Sequence, residues 1–483
     1  MRILYYNWVD YLDDEARGGG VSVYQRNVMR AWDKERGVQA TFLCAGLSFD
    51  LKGNVPRWEK LRHGPDENRA NRYEIVNSAV LASGHSSYGD PAQISDAATE
   101  DVVADFILET GPYDVVHFNN LEGLPVDVLR LKLQFPKTKF ILSLHNYYPI
   151  CPQVNLWQRE EVSCADFESG RACVNCLPVV QNPRHLRLAN ALAYRLKSAG
   201  IRPGSRLFSF GFRNMMRVGS RASRLLAKLR PKTSRVAPDQ APHFAARRPA
   251  MIDAINANCD VVLAVSDRVG QIAADYGIRP DILHTSYIGT AHAAYFEATK
   301  PAQSLLAKDG TVRVAYLGYM RADKGFPFLL SALENLDDAD AARLHLVVAA
   351  RQGSPDLMHR MMALEPRLAS LTHLDGYTAD GLDDLLEGVD LGLIPVMWED
   401  NLPQVAIEMH ARHIPLLTSD MGGASELGGG TALVHRAGDV GDFDARIADV
   451  LQDRVDLDAY WADALAPVSM DGHIADLKRY YQS

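Results

Sequence analysis

The chain has 483 residues, of which 47% are hydrophobic and 23% are charged, and its formal net charge is −9. This length exceeds one ordinary hydrophobic core, so at least two domains are expected, with the composition of a soluble globular protein. The negative net charge argues against nucleic-acid binding by the whole molecule.

The N-terminal residues enter a strand-like segment without a basic region followed by a long apolar stretch, so no signal peptide is predicted. The sequence contains no run of about 18 apolar residues, so no transmembrane helix is predicted. A cytoplasmic location with mostly reduced thiols is therefore expected.

Apolar runs alternating with helical spacing dominate the first part of the chain. A helix is predicted at about 21–33, directly after Gly18-Gly19-Gly20. The predicted strands are 2–6, 40–44, 115–118, 140–144 and 260–266. This alternation favours a parallel, doubly wound sheet.

The pattern restarts near residue 311, after a linker-like segment. The predicted strands there are 312–317, 344–350, 391–395 and 415–418, and a last helix is predicted at 473–481. The predicted domains are residues 1–303, 304–465 and a C-terminal helix in 466–483 that packs back on the first domain. The first domain includes a cysteine-rich loop at 151–176 and a basic insertion at about 177–250.

Two cations follow the predicted strand 312–317. Arg321 and Lys324 stand just before a helical pattern at 326–333. Open α/β sheets bind ligands at the carboxyl ends of their strands, and helix N-termini favour anions. The alternative is an ordinary solvated helix start.

A second strand-to-helix junction carries carboxylates. Glu399 and Asp400 lie in its loop, and Glu408 lies in a largely apolar helical stretch, where a carboxylate needs a partner. Sugar hydroxyls would donate hydrogen bonds to such groups. Asn401 and Leu402 follow in the segment 401–404, whose backbone amides are expected to lie near such a sugar.

Together the two motifs resemble the retaining glycosyltransferases of family 4. The resemblance implies a GT-B fold: an α/β protein with two Rossmann-like, doubly wound domains that face each other across a cleft. It further implies that Arg321 and Lys324 hold the donor diphosphate, and that Glu408 binds the ribose. The spacing assigns the first acidic position to Asp400, with Glu399 one residue earlier as the alternative.

The resemblance extends to the first domain. It implies that the loop Gly18-Gly19-Gly20 lines the donor phosphates, although a simple flexible loop is the other interpretation. It also implies that His145, at the end of strand 140–144, reaches the donor sugar. Asn146 stands where the family has Asp, which leaves the acceptor geometry open.

Four of the six cysteines fall within one short segment: Cys151, Cys164, Cys173 and Cys176. Their spacing is compatible with a structural zinc that would order the loop. An iron–sulfur cluster, reduced thiols and disulfides are the alternatives. No cofactor is expected to be required for catalysis.

The segment 184–248 contains sixteen Arg or Lys residues and a single acid, Asp239. Apolar residues interleave with them, including Leu207, Phe208, Phe210, Phe212, Met215 and Met216. A basic amphipathic segment is typical of membrane-surface contact; a solvated insertion is the alternative.

The motifs and the resemblance together predict a metal-independent, hexosyl-type glycosyltransferase, cytoplasmic or peripheral at the inner membrane; that it retains the anomeric configuration is implied by the resemblance alone. It would move a sugar from a nucleotide-sugar donor to a glycan or lipid-linked acceptor in cell-envelope or exopolysaccharide synthesis. The alternatives are a sugar-nucleotide epimerase of the same fold and a non-catalytic membrane-associated scaffold in polysaccharide assembly. The sequence does not identify the nucleotide, the sugar, the acceptor, the linkage or the oligomeric state.

Overall fold

The computed structural model describes residues 1–177, 182–208, 210 and 240–482. Two large parallel sheets follow one another along the described chain. The strands of the first unit are β1 (Arg2–Tyr6), β2 (Gln39–Ser48), β3 (Arg57–Lys60), β4 (Arg72–Val76), β5 (Val115–Phe118), β6 (Lys139–Leu144), β7 (Trp157–Gln158), β8 (Val162–Ser163), β9 (Val261–Ala264) and β10 (Leu283–Thr285). The second unit contains β11 (Val312–Tyr319), β12 (Leu344–Arg351), β13 (Ser370–Leu374), β14 (Leu391–Ile394), β15 (Leu416–Ser419) and β16 (Val434–His435).

The first sheet has the strand order β10-β9-β6-β5-β1-β2-β4-β3. Its pairs are parallel except β3 with β4, which are antiparallel. Strands β5 and β9 are buried along their whole length, as expected for a parallel sheet covered by helices on both faces. β7 and β8 form a separate two-stranded hairpin.

The second sheet has the order β13-β12-β11-β14-β15-β16 and is parallel throughout. Its central strand β11 pairs with β12 from Val312 to Tyr319 and with β14 at Val314 and Ala315. The carboxyl ends of β11 and β14 are therefore neighbours, which brings the two loops with predicted ligand-binding residues together.

The α-helices of the first unit are Gly19–Trp32, Ala97–Thr110, Arg171–Val174, Pro183–Ser198, Ala241–Asn258, Asp267–Asp275 and Ala293–Ala298. Those of the second unit are Phe326–Asn335, Asp338–Ala341, Pro355–Ala363, Leu382–Leu386, Gln404–His410, Val440–Leu451 and Leu457–Ala462, followed by the last helix, Met470–Gln482. No helix among these is long and apolar enough to span a membrane.

The last helix returns to the first unit and packs beside the helix Gly19–Trp32. The Tyr481 hydroxyl lies 2.6 Å from both the Tyr5 hydroxyl and Nδ1 of His117, all three being buried. The chain terminus thus completes the core around β1 and β5.

The predicted doubly wound arrangement is confirmed, and each predicted strand is present within a few residues of its predicted bounds. Part of the basic segment forms the helix Pro183–Ser198. Phe212, Met215 and Met216 lie outside the described residues.

Candidate functional site

The carboxyl ends of strands from both sheets border a cavity of about 320 Å³ between the two units, termed here the interdomain cavity. Several predicted site residues line it: Gly20, His145, Lys324, Asp400, Asn401 and Leu402. The structure thus brings together residues from separate loops and helix starts at the edge where α/β sheets bind ligands.

Lys324 and Asp400 form an ion pair in the wall of the interdomain cavity. Nζ of Lys324 lies 2.5 Å from Oδ2 of Asp400 and 5.2 Å from the ring centre of Trp398. The next residue, Gly325, has φ +75°, and a Cβ atom there would lie 1.6 Å from the carbonyl oxygen of Pro395. A side chain at 325 would therefore push apart the two loops that hold the pair.

Arg321 borders a neighbouring cavity of about 450 Å³, termed here the loop cavity, which Lys324 also lines. Its guanidinium group donates to both carboxylate oxygens of Asp323, at 2.9 and 2.7 Å. The Arg321 side chain is 63% exposed. Arg321 and Lys324 thus flank the boundary between the two cavities, where an anionic group would contact both.

Glu399 bridges the two units instead of lining the interdomain cavity. Its carboxylate accepts two hydrogen bonds from Arg268, one of them 3.0 Å from Nε, and one from the backbone N–H of Gly422 at 3.0 Å. Arg268 lies in the helix Asp267–Asp275 of the first unit. Of the two acidic residues that the sequence left open, only Asp400 faces the cavity.

A second carboxylate supports the same bridge. Glu426 accepts hydrogen bonds from the backbone N–H groups of Asp267 and Arg268, at 2.9 and 2.6 Å, and from the Tyr287 hydroxyl at 2.6 Å. A carboxylate at a helix N-terminus is favourable because it satisfies free N–H groups. The contact fixes how this helix meets the second unit.

Glu408 lies one helical turn beyond Gln404, outside the residues that line the interdomain cavity. Its Oε2 accepts a hydrogen bond from the Tyr377 hydroxyl at 2.9 Å. Burial raises the pKa of the Glu408 carboxyl, and the Tyr377 hydrogen bond opposes that shift. A partner for this half-buried carboxylate is thus present within the protein.

His145 lines the interdomain cavity and has an unpaired ring nitrogen. Its Nε2 is buried and has no hydrogen-bond partner among the described residues, and the Tyr24 ring packs 4.7 Å from the imidazole. Burial, followed by the nearby His473, lowers the pKa of His145 to about 3. The neutral imidazole can therefore accept or donate one hydrogen bond to a ligand hydroxyl.

The glycine loop contributes one residue to the cavity. Gly20 lines it, and a Cβ there would lie 3.2 Å from Cγ of Gln404 in the second unit. At Gly18 a Cβ would lie 1.9 Å from Oγ of Ser22, so this glycine is required by packing within its own helix. Gly18 and Gly19 do not line the interdomain cavity.

All six cysteines are free thiols. Among the described residues, no group of three or more His, Cys, Asp or Glu side chains is arranged to hold a metal ion. Instead, the Cys176 thiol donates to Oε1 of Gln153 at 3.0 Å, and Cys173 lies in a small apolar cluster with Phe244 and Tyr88. Burial raises the pKa of Cys173 to about 12 and that of Cys164 to about 11.

Sequence reasoning missed several residues that line the two cavities or connect the units: Tyr24, His85, Trp157, Arg268, Asp323 and Trp398. Asp323 and Trp398 stand next to residues that were predicted, so their nearness to the motifs was a usable signal. Tyr24 lies in the helix predicted at 21–33, and Arg268 follows the predicted strand 260–266, but neither residue belongs to a recognised motif. His85 and Trp157 lie where neither a helix nor a strand was predicted.

Residues 311–453 match the family model described as Glycosyl transferases group 1. None of the curated protein sequences matches the chain.

Solved structures with the same fold cover nearly the whole chain at low identity. HepE from Anabaena in complex with UDP is 13% identical with a TM-score of 0.53, covering 99% of each chain. Sucrose-phosphate synthase from Thermosynechococcus elongatus is 13% identical with a TM-score of 0.53, covering 100% of this chain and 98% of its own.

A UDP-forming α,α-trehalose-phosphate synthase from Burkholderia vietnamiensis is 14% identical with a TM-score of 0.51, covering 99% of this chain and 95% of its own. At these identities the likeness establishes the GT-B fold that the sequence predicted. The fold and the family match together support an enzyme of the glycosyltransferase class, with a group 1 glycosyl transferase domain at residues 311–453.

Proposed function

We propose that this chain is a retaining glycosyltransferase of family 4 that transfers a sugar from a nucleotide-sugar donor to a glycan or lipid-linked acceptor. Cell-envelope or exopolysaccharide synthesis is the process in which we expect it to act. The observation that carries the proposal is the lining of the interdomain cavity. It contains both the Lys324–Asp400 pair and the imidazole of His145, whose Nε2 is unpaired among the described residues.

Unpaired polar atoms support a polyhydroxylated ligand in this cavity. Nδ2 of Asn401 is buried and, like Nε2 of His145, lacks a partner among the described residues. Buried polar groups are normally hydrogen-bonded, so such orphans indicate a missing partner. Sugar hydroxyls can serve both groups because each hydroxyl donates and accepts.

The proposed roles follow from position and charge. Lys324 and Arg321 stabilise the departing nucleoside diphosphate, and Asp400 accepts hydrogen bonds from the donor sugar. The role of Glu408, which lies outside the lining of the interdomain cavity, is proposed from the family resemblance alone: it binds the ribose. The bond between the anomeric carbon and the diphosphate oxygen breaks with its electron pair on the diphosphate. The acceptor oxygen bonds to the same face of that carbon, and its proton passes to the leaving phosphate oxygen. Fixed cations lower the barrier because negative charge develops on the leaving group.

A UDP-sugar is the first donor to test. Structures of HepE from Anabaena contain UDP and UDP-glucose, and the Burkholderia vietnamiensis synthase is named as UDP-forming. HepE in its UDP complex and the synthase share the fold of this chain at 13% and 14% identity, so they guide the choice of ligand.

A thermal-shift screen with UDP, GDP, ADP, CMP and dTDP tests the donor site. A ligand that binds only the folded protein raises the unfolding midpoint. We expect one nucleoside diphosphate to stabilise the protein, with the shift lost in Lys324→Ala and reduced in Arg321→Ala. The exposed Lys308 of the same unit provides the control variant Lys308→Ala, which keeps the shift. Absence of any shift would contradict the proposal.

Product analysis separates the proposed reaction from its alternatives. The donor is then a nucleotide-sugar that contains the stabilising nucleoside diphosphate. NMR of the product should show the same anomeric configuration as in this donor. Release of a free epimerised sugar without acceptor would favour an epimerase of the same fold. Binding without turnover would favour the non-catalytic scaffold.

Two further parts of the proposal concern the first unit. The basic segment 184–248 contacts an anionic membrane surface, supported by the strongly exposed Leu207 and Phe210 beside exposed Arg202 and Arg206. A structural zinc at the four clustered cysteines is the other. The four thiols, all within the described residues, are not arranged around a common point in the structure, so zinc would have to draw them together; elemental analysis of the purified protein tests it. Catalysis itself is proposed to need no metal.

A further inference from the structure

The loop cavity lies directly beside the interdomain cavity, and Lys324 and Trp398 line both. Residues of the segment 152–160, which belongs to the first unit, form part of its wall. Its polar and aromatic lining includes His85, Asn155, Trp157, Glu160, Arg321 and Trp398. A molecule in this space would therefore lie next to the proposed donor diphosphate but outside the donor's own cavity.

The segment 152–160 has an unusual backbone. Val154, Leu156, Arg159 and Glu160 all have positive φ values, at 68°, 52°, 58° and 59°. Left-handed conformations are uncommon for residues other than glycine, and for the β-branched Val154 they are markedly unfavourable. Such strain persists only where surrounding contacts enforce it, and it concentrates at ligand-binding and catalytic sites.

Hydrogen bonds from neighbouring residues hold the segment 152–160 in this conformation. The side-chain amide of Gln153 donates to the Trp157 carbonyl at 2.7 Å, and the Cys176 thiol donates to Oε1 of the same Gln153. The backbone N–H of Cys164 donates to the Leu156 carbonyl at 2.7 Å. Two cysteines of the clustered segment thus hold the loop that borders the cavity.

Two indole groups at this cavity lack partners. Nε1 of Trp157 and Nε1 of Trp398 are buried, and neither has a hydrogen-bond acceptor among the described residues. Trp157 is 5% exposed. A buried N–H without an acceptor is costly, and tryptophan N–H groups usually find a partner when buried. Ligand oxygens would satisfy both groups.

The charges of the lining favour a neutral ligand over an anionic one. The lining contains two carboxylates, Glu160 and Asp323, and two cations that are both already paired: Arg321 with Asp323, and Lys324 with Asp400. A phosphorylated ligand would meet these carboxylates, whereas hydroxyl groups can donate to them. Indole N–H donors and a carboxylate acceptor together match a sugar ring.

We infer that the loop cavity is the subsite for an unphosphorylated sugar ring of the acceptor, held by Trp157, Trp398 and Glu160. This inference rests on the proposed function, because it names the acceptor chemistry beside the proposed donor site. Trp157 and Glu160 contact the acceptor, and Gln153 and Cys176 are positioning residues that maintain the loop.

Saturation-transfer difference NMR tests the subsite with the full-length protein. The probes are the methyl glycosides of glucose, galactose, mannose and N-acetylglucosamine, each with saturating UDP or whichever nucleoside diphosphate stabilises the protein. We expect at least one glycoside to bind, with roughly tenfold weaker affinity in Glu160→Gln because the hydrogen bond loses its charged acceptor. Trp157→Phe, which removes the N–H and keeps an aromatic ring, should also weaken binding. The adjacent, exposed Glu161 is outside the lining, so Glu161→Gln should bind as the unmodified protein does.

Thermal shifts with the nucleotide, measured on the same samples, separate the two proposals. Absence of a nucleotide shift in the unmodified protein refutes the donor site. A preserved nucleotide shift without glycoside binding, or with binding that Glu160→Gln and Trp157→Phe leave unchanged, refutes the acceptor subsite. Octyl glycosides below their micellar concentration distinguish the source of the sugar: tighter binding than the methyl glycoside indicates a lipid-linked acceptor, and equal binding a glycan. Either result supports the sugar subsite.

Discussion

Lys324 and Asp400 are paired through Nζ and Oδ2 at 2.5 Å because they follow adjacent strands, β11 and β14. The pair places a fixed cation and a fixed carboxylate side by side in the interdomain cavity. A diphosphate would compete with Asp400 for the ammonium group of Lys324. The Asp400 carboxylate would then be free to accept hydrogen bonds from sugar hydroxyls.

The first prediction concerns Asp400→Asn. We expect sugar transfer to fall by about 100-fold or more, since a polar contact that acts in the transition state is weakened. Nucleoside diphosphate binding should be retained or tightened, because Lys324 loses its competing carboxylate. Steady-state kinetics and calorimetry measure the two effects, with Asp463→Asn at an exposed position as the control. A parallel loss of nucleotide binding would contradict the assigned role.

The second prediction concerns the bridge between the units. Arg268 and Glu399 should show a coupling free energy of up to about 1 kcal/mol in a double-mutant cycle of Arg268→Ala and Glu399→Gln. The value is small because the Arg268 side chain is 42% exposed and solvent screens the pair. Urea unfolding of the four proteins measures it. Strictly additive effects would show that the bridge does not couple the units.

The third prediction concerns backbone geometry at the donor loop. Gly325→Ala should destabilise the protein severely, because the new methyl group would overlap the carbonyl oxygen of Pro395. Gly388 is a matched control with φ +69°, and no atom lies within 4 Å of the position that a methyl group would take there. Gly388→Ala should therefore cost only about 1–2 kcal/mol of strain. Unfolding midpoints and nucleotide shifts of both variants test this, and equal effects would rule out the proposed clash.

The fourth prediction concerns pH. Because the folded-state pKa of His145 is about 3, the unfolded chain takes up a proton near its usual pKa of about 6.5 while the folded protein does not. The free energy of unfolding should therefore fall as the pH decreases from about 6.5 towards 3 and should gain nothing from this group above that range. His145→Gln should reduce the slope by up to about 1.4 kcal/mol per pH unit.

Denaturant unfolding at several pH values measures that slope. The exposed His185 supplies a control substitution of the same type, His185→Gln. An unchanged slope in His145→Gln would show that the imidazole titrates similarly in both states.

The fifth prediction concerns the basic segment. Leu207 and Phe210 are 74% and 70% exposed, so the double variant Leu207→Glu with Phe210→Glu should abolish co-sedimentation with phosphatidylglycerol-containing vesicles. Binding should weaken with salt because exposed charges are screened. Leu133 is 77% exposed elsewhere in the first unit, and Leu133→Glu is the control. Equal loss in both variants, or binding to neutral vesicles, would contradict a specific anionic-surface contact.

Apolar runs were sufficient to predict most of the interior strands of both sheets. β5 and β9 are short apolar runs buried throughout, and such runs are the clearest sequence signal of a parallel sheet. The largely buried β4 was missed because Arg72 and Glu74 interrupt its apolar pattern. The edge strands β3 and β13 were missed because their residues are only partly buried or exposed, so no run of buried apolar residues distinguishes them.

The site was predicted where a motif follows a strand directly. Lys324, Asp400 and His145 all follow predicted strands, and all three line the interdomain cavity. The role of Glu399 as a bridge to Arg268 was not predictable, because the partner lies 131 positions away on another unit. Trp157 was missed for a similar reason: only the folded loop brings it to the same cavity as Arg321.

The position of Tyr481 determines when the first unit can finish folding. Its hydroxyl supplies a hydrogen-bond partner to Tyr5 and His117, 476 and 364 residues earlier in the chain. Domains generally fold as units during synthesis, the N-terminal one first. Here the first sheet can assemble early, but the polar groups on β1 and β5 obtain this hydrogen-bond partner only when the last turn of the last helix has been synthesised. The first unit is thus completed only by residues that follow the second unit in the chain.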